Sequence, residues 1–298
     1  MEQQPMAWKG RTHGTPWMQR ALIASLRWTP LTIVYGGMAI VILFYMLFYH
    51  QGYISQYHYF RRRFLHNPLR SFFDVYFNHF RFGQIILDRF AFYGGRRFKL
   101  VIEGNEQFMA KTYEPTGMMQ VGAHVGNFEL AGYMLSQDRK PINALVFGGE
   151  TGTVMENRTR IFQHQNLRLI LTGDGMDHIF ELNRALADGE IVSMHGDRVF
   201  GSQKTFTVSM LGAPALFPAG PFLLAATREV PMFCTFVMKE TVNTYHIYVH
   251  QLTVDPTQTT TVRTRAQALA QDFADRLTAI LKKYPYQWFN YYDFWLNE

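Results

Sequence analysis

Residues 117–130 read GMMQVGAHVGNFEL, and this stretch is the clearest indication of the fold that we expect of the chain. Its first half is a short apolar run, which is typical of a buried strand. Its second half continues as a helix. Gly122 and Gly126 bracket His124 and permit a tight turn between the two elements. A strand that passes directly into a helix is the building unit of an α/β sheet.

The same alternation of apolar runs and helical segments continues from residue 97 onward. The other runs predicted as strands are RFKLVIEG, PINALVF, LRLIL, EIVSMHG, PMFCTFVMK and YHIYVHQLTV. Apolar side chains four apart predict one long helix over residues 261–284, which Pro285 ends. Residues 212–221 are predicted to be a loop that enters a helix. The pattern as a whole predicts an α/β fold with helices on the faces of a sheet.

The N-terminal third has the pattern of a membrane-associated segment. Residues 31–49 carry no charge, and about 20 apolar residues are what a bilayer-crossing helix requires. Basic residues lie on both sides of this run, so the charge pattern also fits a helix inserted into one leaflet. A buried core helix is the alternative. Residues 57–93, rich in Phe, Tyr and Arg, predict one or two amphipathic helices suited to the headgroup level.

These patterns divide the chain into three parts. Residues 1–52 are predicted to form a basic segment with a transmembrane or membrane-inserted helix. Residues 53–96 are predicted to form the amphipathic aromatic helices, and residues 97–298 the α/β domain.

Composition narrows the function classes. Hydrophobic residues make up 48% of the chain and charged residues only 17%, so apolar surface is left for a membrane face or a lipid groove. The net charge of +6 suits anionic lipids or acidic carrier proteins. No nucleic-acid-binding module, nucleotide-binding glycine motif or metal-ligand motif is present in the sequence, so we expect no nucleic acid, metal or organic cofactor. The single cysteine, Cys234, is predicted to be buried and inert.

His124 and Glu129 form the candidate catalytic pair. On a continuous helix, five residues advance about 500°, so the two side chains would not share a face. At a strand-to-helix turn, the glutamate can reach back towards the histidine, and a carboxylate that orients an imidazole makes it a general base. Gly126 allows close approach of a substrate, and Asn127 is a candidate N-cap, so both are candidate binding residues. The alternative is a core histidine beside an unrelated surface glutamate.

The run HVGNFE resembles the His-x4-Asp/Glu motif of the glycerolipid acyltransferase superfamily. The wider pattern is similar to its lipid A biosynthesis (lauroyl/myristoyl) acyltransferase branch. The resemblance includes GQIILDRFAFYGG, the long run from GEIVSMHGDRVFG to REVPMF, and the C-terminal YPYQWFNYYDFW. It implies a mixed sheet flanked by helices. The segment after Asp197 departs from the lipid A pattern, which leaves the acceptor open.

The resemblance also implies roles for individual residues. His124 would be the general base and Glu129 its partner. Asp197 falls where the family has an essential aspartate, and Arg168 lies near the family's essential arginine, with Arg158 and Arg160 as other candidates. Arg198 has two open roles, either as the ion-pair partner of Asp197 or as a substrate contact.

The implied reaction moves a fatty acyl chain from an acyl carrier protein or coenzyme A thioester to a hydroxyl or amine of a lipid. The implied location is the cytoplasmic side of a bacterial inner membrane. A membrane-associated hydrolase or glycosyltransferase that uses the same pair is the rival enzyme class. A non-catalytic lipid-binding protein is the other rival.

Overall fold

The computed structural model of the protein describes residues 16–48, 52–130, 139–147, 166–172, 176–199, 204–257 and 259–296. The strands within these ranges are β1 (Lys99–Glu103), β2 (Met118–Gly122), β3 (Ile142–Phe147), β4 (Leu167–Thr172), β5 (Ile191–His195), β6 (Thr205–Met210), β7 (Ala213–Pro218), β8 (Met232–Lys239) and β9 (Thr244–Gln251). Each predicted strand coincides with one of them.

The helices in the same ranges are α1 (Pro16–Trp28), α2 (Leu31–Phe48), α3 (Tyr53–His58), α4 (Pro68–Tyr93), α5 (Glu106–Lys111), α6 (Asp177–Ala187), α7 (Gly220–Arg228) and α8 (Val262–Lys283). A π-helical turn (Tyr59–Arg63) follows α3, and a 3-10 turn (Pro285–Gln287) follows α8. A further helix begins at Phe128. Residues 152–165, GTVMENRTRIFQHQ, also have a sequence pattern that predicts a helix, and they lie outside the described residues.

Local sequence explains where the two longest helices begin. The Asn67 side chain accepts a hydrogen bond from the backbone N–H of Arg70, and Pro68 occupies the first turn of α4. Thr261 and Thr264 form a reciprocal capping box at the start of α8.

The main sheet has seven strands in the order β1-β9-β8-β2-β5-β3-β4. From β8 to β4 all neighbours are parallel. β9 is antiparallel to β8 and parallel to β1, so the sheet is mixed, as the resemblance implies. Because β2 and β5 are parallel neighbours, their carboxyl ends meet at one edge of the sheet. Ligand sites of open α/β sheets lie at this kind of edge.

The two faces of the sheet are covered by different helices. Successive residues of β2 belong to different cores, since Met118 packs with the N-terminal helices and Met119 with the C-terminal ones. The first core includes Leu26 of α1, Tyr35 of α2 and Ile85 of α4. The second core includes the apolar side chains four apart that predicted α8, among them Phe273 and Leu277. The N-terminal helices are therefore packed on the α/β part of the molecule.

The loop predicted for the first part of residues 212–221 is wrong, whereas the helix that it was expected to enter does begin there, with Pro221 in its first turn. Ala213–Pro218 forms β7, which pairs with β6 across a two-residue turn, and α7 begins only at Gly220. Leu211 and Gly212 both have positive φ, at 47° and 80°, as a tight hairpin turn requires. Leucine is an unusual residue for that conformation, so the sequence carries only a weak turn signal here.

Within the described residues, we find no helix that combines the length and the apolar character needed to cross a bilayer. The spanning form of the predicted anchor therefore stays a prediction, and so do the three predicted segments of the chain.

Candidate active site

The site lies at the carboxyl edge of the sheet, where β2 and β5 end. Gly122 and His195, the last residues of these strands, are register partners. His124 and Asp197 each lie two residues beyond a strand end. The parallel pairing therefore brings together two residues that lie 73 positions apart in the chain.

His124 is hydrogen-bonded twice to the carboxylate of Asp197. Its ring Nδ1 lies 2.8 Å from Oδ1, and its backbone N–H donates to Oδ2 at 3.0 Å. The Asp197 side chain is fully buried, whereas that of His124 is 20% exposed. With Nδ1–H donating to the carboxylate, Nε2 carries the lone pair and is the nitrogen available as a base.

Burial and charge set the protonation of this pair. Burial lowers the pKa of His124 below its ordinary value, although the charge of Asp197 opposes that shift, and nearby Arg198 adds to it. For Asp197, burial alone would raise the pKa, but the charge and hydrogen bond of His124 outweigh it and hold the pKa well below the usual range. At neutral pH the pair is therefore a neutral imidazole beside a carboxylate.

The prediction that Glu129 orients His124 is wrong. The Glu129 carboxylate accepts hydrogen bonds from the guanidinium of Arg89 and, at 3.0 Å, from the hydroxyl of Tyr93. Both partners come from α4. Glu129 lies on the helix that begins at Phe128, and its carboxylate is directed to α4 rather than to the imidazole. The structure thus gives the histidine a different carboxylate from the one that the motif spacing indicates.

Asp197 is itself held by the C-terminal segment. The Asn290 amide donates to Asp197 Oδ2 at 3.0 Å, and the backbone N–H of Phe289 donates to the carbonyl of His124 at 3.0 Å. Arg198 does not pair directly with Asp197. Its guanidinium donates to Asn290 Oδ1 and to the carbonyl of Phe289. Arg198 therefore supports the aspartate through the asparagine.

Gly126 and Asn127 build the turn rather than a substrate surface, because both are buried. Gly126 has φ +51°, and a Cβ there would lie 2.0 Å from the carbonyl oxygen of Val237. The Asn127 backbone N–H donates to that same carbonyl, and its side-chain amide donates to the Tyr245 hydroxyl at 3.4 Å. Leu130 N–H donates to the backbone carbonyl of Asn127 at 3.0 Å, and the helix begins at Phe128, so Asn127 occupies the predicted N-cap position.

A buried polar cluster supports the turn that contains Gly126 and Asn127. Asp88 of α4 accepts hydrogen bonds from Lys239 Nζ at 2.5 Å and from the hydroxyls of Tyr245 and Tyr35. The side chains of Asp88 and Lys239 are both fully buried. Tyr245 connects this cluster to Asn127. Unpaired buried charges are costly, so each of these groups needs its partners in place.

The structure does not bring Arg168 to this site. Arg168 is the second residue of β4 and is in register with Asn143, near the beginning of the parallel strands. β4 is three strand positions away from β2, about 14 Å at the usual spacing. The Arg168 side chain is 67% exposed and lies 3.5 Å from Glu190. Arg158 and Arg160 lie outside the described residues.

Several residues of the site have only weak signals in the sequence. Arg89 and Tyr93 belong to the quoted run GQIILDRFAFYGG, where they read as part of an amphipathic helix. Asn290 lies among the C-terminal aromatic residues. His195 precedes Asp197 in the run MHGD, which marks a strand end followed by a polar residue. That pattern could have indicated the site, because polar residues after parallel strands meet at one edge.

The partners of His124 narrow the chemistry that this site can support. The described hydrogen-bond partners of His124 include an aspartate but no serine or cysteine that could act as a protein nucleophile. Cys234 is fully buried and its pKa is raised by burial to about 12, as expected of an inert thiol. This arrangement fits a reaction in which one substrate attacks another directly and the histidine accepts the proton.

Comparison with known proteins identifies the family. The model of the bacterial lipid A biosynthesis acyltransferase family matches residues 88–296, more than two thirds of the chain. The chain belongs to this family and is an acyltransferase, which confirms the resemblance seen in the sequence.

Solved structures include a chain similar to this one, whereas the curated proteins contain no significant match. A similar solved structure is the crystal structure of the 1-acyl-sn-glycerophosphate (LPA) acyltransferase, PlsC, from Thermotoga maritima. It shares 13% identity with a TM-score of 0.41, over 86% of this chain and 100% of that chain. None of the curated proteins matches this chain significantly.

Proposed function

We propose that this enzyme transfers a fatty acyl group from an acyl thioester to a hydroxyl or amine of a lipid acceptor, with His124 as the general base. The observation that supports this most is the pair formed by Nδ1 of His124 and the fully buried Asp197 carboxylate. The carboxylate fixes the tautomer and stabilises the imidazolium that forms in the reaction. Nε2 is then free to accept the proton of the acceptor.

The reaction needs no covalent enzyme intermediate. Nε2 of His124 accepts the proton as the acceptor oxygen or nitrogen attacks the thioester carbon. The carbonyl electrons move to its oxygen, and the tetrahedral intermediate collapses with cleavage of the C–S bond. The imidazolium returns its proton to the departing thiolate, which restores the neutral base.

In the proposed reaction, Glu129 acts by holding the guanidinium of Arg89. The two side chains of this ion pair are 19% and 8% exposed, so the guanidinium is held by the carboxylate and keeps some access to solvent. Its position beside the helix that follows His124 suits contact with the phosphate group of a donor or acceptor.

The donor is an acyl carrier protein in preference to coenzyme A. The net charge of +6 favours association with an acidic protein surface. Both donors present the same thioester to His124, so the choice between them changes the docking surface and leaves the chemical step unaltered.

The acceptor is reached from a membrane, on the cytoplasmic side of a bacterial inner membrane. Large apolar side chains are exposed along α4 at one helical stripe, which includes Leu69, Phe72, Phe73 and Phe77. Near its start, an open groove of about 560 Å³ is lined by Tyr53, Tyr57, Pro68, Leu69 and Phe72. Exposed apolar and aromatic surface of this extent suits a helix that lies in the headgroup region.

The test is an acyl-transfer assay with the full chain in detergent or vesicles. Radiolabelled acyl carrier protein thioester and acyl coenzyme A are each incubated with total bacterial lipid, and labelled lipid products are identified by mass spectrometry. The proposal expects a labelled acyl lipid with wild type and none with His124→Ala. Release of free fatty acid independent of added lipid would instead support the hydrolase, and activity unaffected by His124→Ala would contradict the proposal.

A further inference from the structure

A second imidazole lies beside His124. His195, the last residue of β5, has its ring centroid 4.6 Å from that of His124, with the two planes tilted by 30°. The close approach follows from the register, because His195 is opposite Gly122, which has no side chain. A Cβ at Gly122 would already be in van der Waals contact with the His195 ring, at 3.7 Å from Cδ2.

Phe128 fixes the orientation of both rings. Its ring stands edge-on to His195, with centroids 4.8 Å apart and an interplanar angle of 88°. It also contacts His124 at 5.4 Å and 62°. Both imidazoles are partly exposed at the same edge of the sheet. One reacting group of a substrate can therefore be within reach of the two rings at once.

The distances suit two different parts of one tetrahedral intermediate. The attacking oxygen lies within about 3 Å of Nε2 of His124 when its proton is transferred. The carbonyl oxygen is bonded to the same carbon, and a donor that stabilises it must also lie within about 3 Å. A hydrogen-bond donor for the carbonyl oxygen must therefore lie a few ångströms from the His124 ring. The His195 ring lies at that distance.

An imidazole carries at least one N–H in either protonation state, so His195 can donate in each. His124 differs because Asp197 takes its Nδ1–H and leaves it an acceptor towards the substrate. Towards the substrate, His124 is therefore suited to accept a proton, and His195 is suited to donate a hydrogen bond.

We propose that His195 is a second catalytic residue, which donates a hydrogen bond to the thioester carbonyl oxygen as negative charge develops on it. The inference rests on the proposed acyl transfer. In this step His124 accepts the acceptor's proton, the new bond to carbon forms, and the carbonyl π electrons move to the oxygen that His195 holds. When the C–S bond breaks, those electrons return to the carbonyl, and the proton passes from His124 to the thiolate.

The test compares variants that keep either the donor or the packing. His195→Gln keeps an N–H donor of similar reach, whereas His195→Leu keeps an apolar contact with Phe128 but has no donor, and His195→Phe is a second apolar variant. Loss of one oxyanion donor typically costs about 10²–10³ in kcat. We expect that loss of kcat for His195→Leu and His195→Phe, with KM nearly unchanged, and a loss of less than about 10-fold for His195→Gln. His250→Leu, which removes an imidazole on β9, is the matched control for histidine loss.

The outcomes are distinguishable. If the kcat of His195→Leu or His195→Phe equals or exceeds that of His195→Gln, packing alone matters. That result would overturn this inference and leave the proposed acyl transfer intact. A wild type without thioester-dependent acyl transfer would overturn the proposed function and this inference with it. Thermal melting of each variant shows that the compared proteins are folded.

Discussion

Asp197→Asn is the substitution that tests the site most sharply, because it changes charge and hydrogen-bonding pattern at nearly constant volume. In the wild type, the carboxylate accepts three hydrogen bonds, from His124 Nδ1, His124 N and Asn290 Nδ2. An amide has only one accepting oxygen. Since Oδ2 already serves two donors, the substituted oxygen is best placed there, and the NH₂ group then faces the imidazole.

That arrangement puts the proton of His124 on the wrong nitrogen. Nδ1 must accept from the new NH₂, so Nε2 carries the hydrogen and cannot act as a base towards the acceptor. In a serine protease, the same change at the aspartate that orients the catalytic histidine costs about 10⁴ in kcat. A loss of that size corresponds to about 5 kcal/mol in the activation free energy. Because all three hydrogen bonds can still form, we expect the free energy of unfolding to fall by only about 1–2 kcal/mol.

The assay measures initial rates of acyl transfer at saturating acceptor, together with thermal melting. We expect a folded protein with KM near the wild-type value and kcat reduced by about 10³–10⁴. A folded Asp197→Asn variant with more than a tenth of the wild-type kcat would refute the assignment of Asp197 as the partner of the base.

Three further predictions address other parts of the site. Glu129→Gln removes the ion pair with Arg89 and leaves one amide oxygen in place of the two carboxylate oxygens that accept from Arg89 and Tyr93. We expect the loss mainly as a raised KM in donor or acceptor titrations. A fall in kcat alone, with KM unchanged for both substrates, would contradict this. Because burial lowers the pKa of His124, kcat/KM should be level at neutral pH and fall only as the pH drops through a value below the ordinary imidazole pKa of about 6.5; a profile still rising above pH 7.5 or so would argue against a neutral base. Gly126→Ala should lower the free energy of unfolding by at least about 2 kcal/mol in denaturant titrations, because φ is positive and the new Cβ would lie 2.0 Å from the Val237 carbonyl oxygen. The control Gly36→Ala, where a Cβ meets nothing within 4 Å, should be neutral or slightly stabilising. Equal effects of the two substitutions would contradict this prediction.

Much of the fold follows from the sequence because local periodicity reflects local structure. The apolar runs that predict strands coincide with strands, and side chains four apart along α8 form its buried stripe. The β6–β7 hairpin is not predictable in the same way, because Leu211 occupies a turn conformation that the sequence signals only weakly. His124 can be identified from sequence because a strand-to-helix junction places its residue at the carboxyl edge of the sheet.

The partners of the site residues were decided by tertiary structure. Spacing in the motif favours Glu129 as the partner of His124, yet strand order sets β5 beside β2 and brings Asp197 to the imidazole. Arg89 of α4 takes the Glu129 carboxylate instead. A sequence determines which side chains follow each strand, but a hydrogen bond depends on which strands become neighbours. That choice is made by the burial of whole faces in the folded chain, and it is not encoded in the spacing of any single motif.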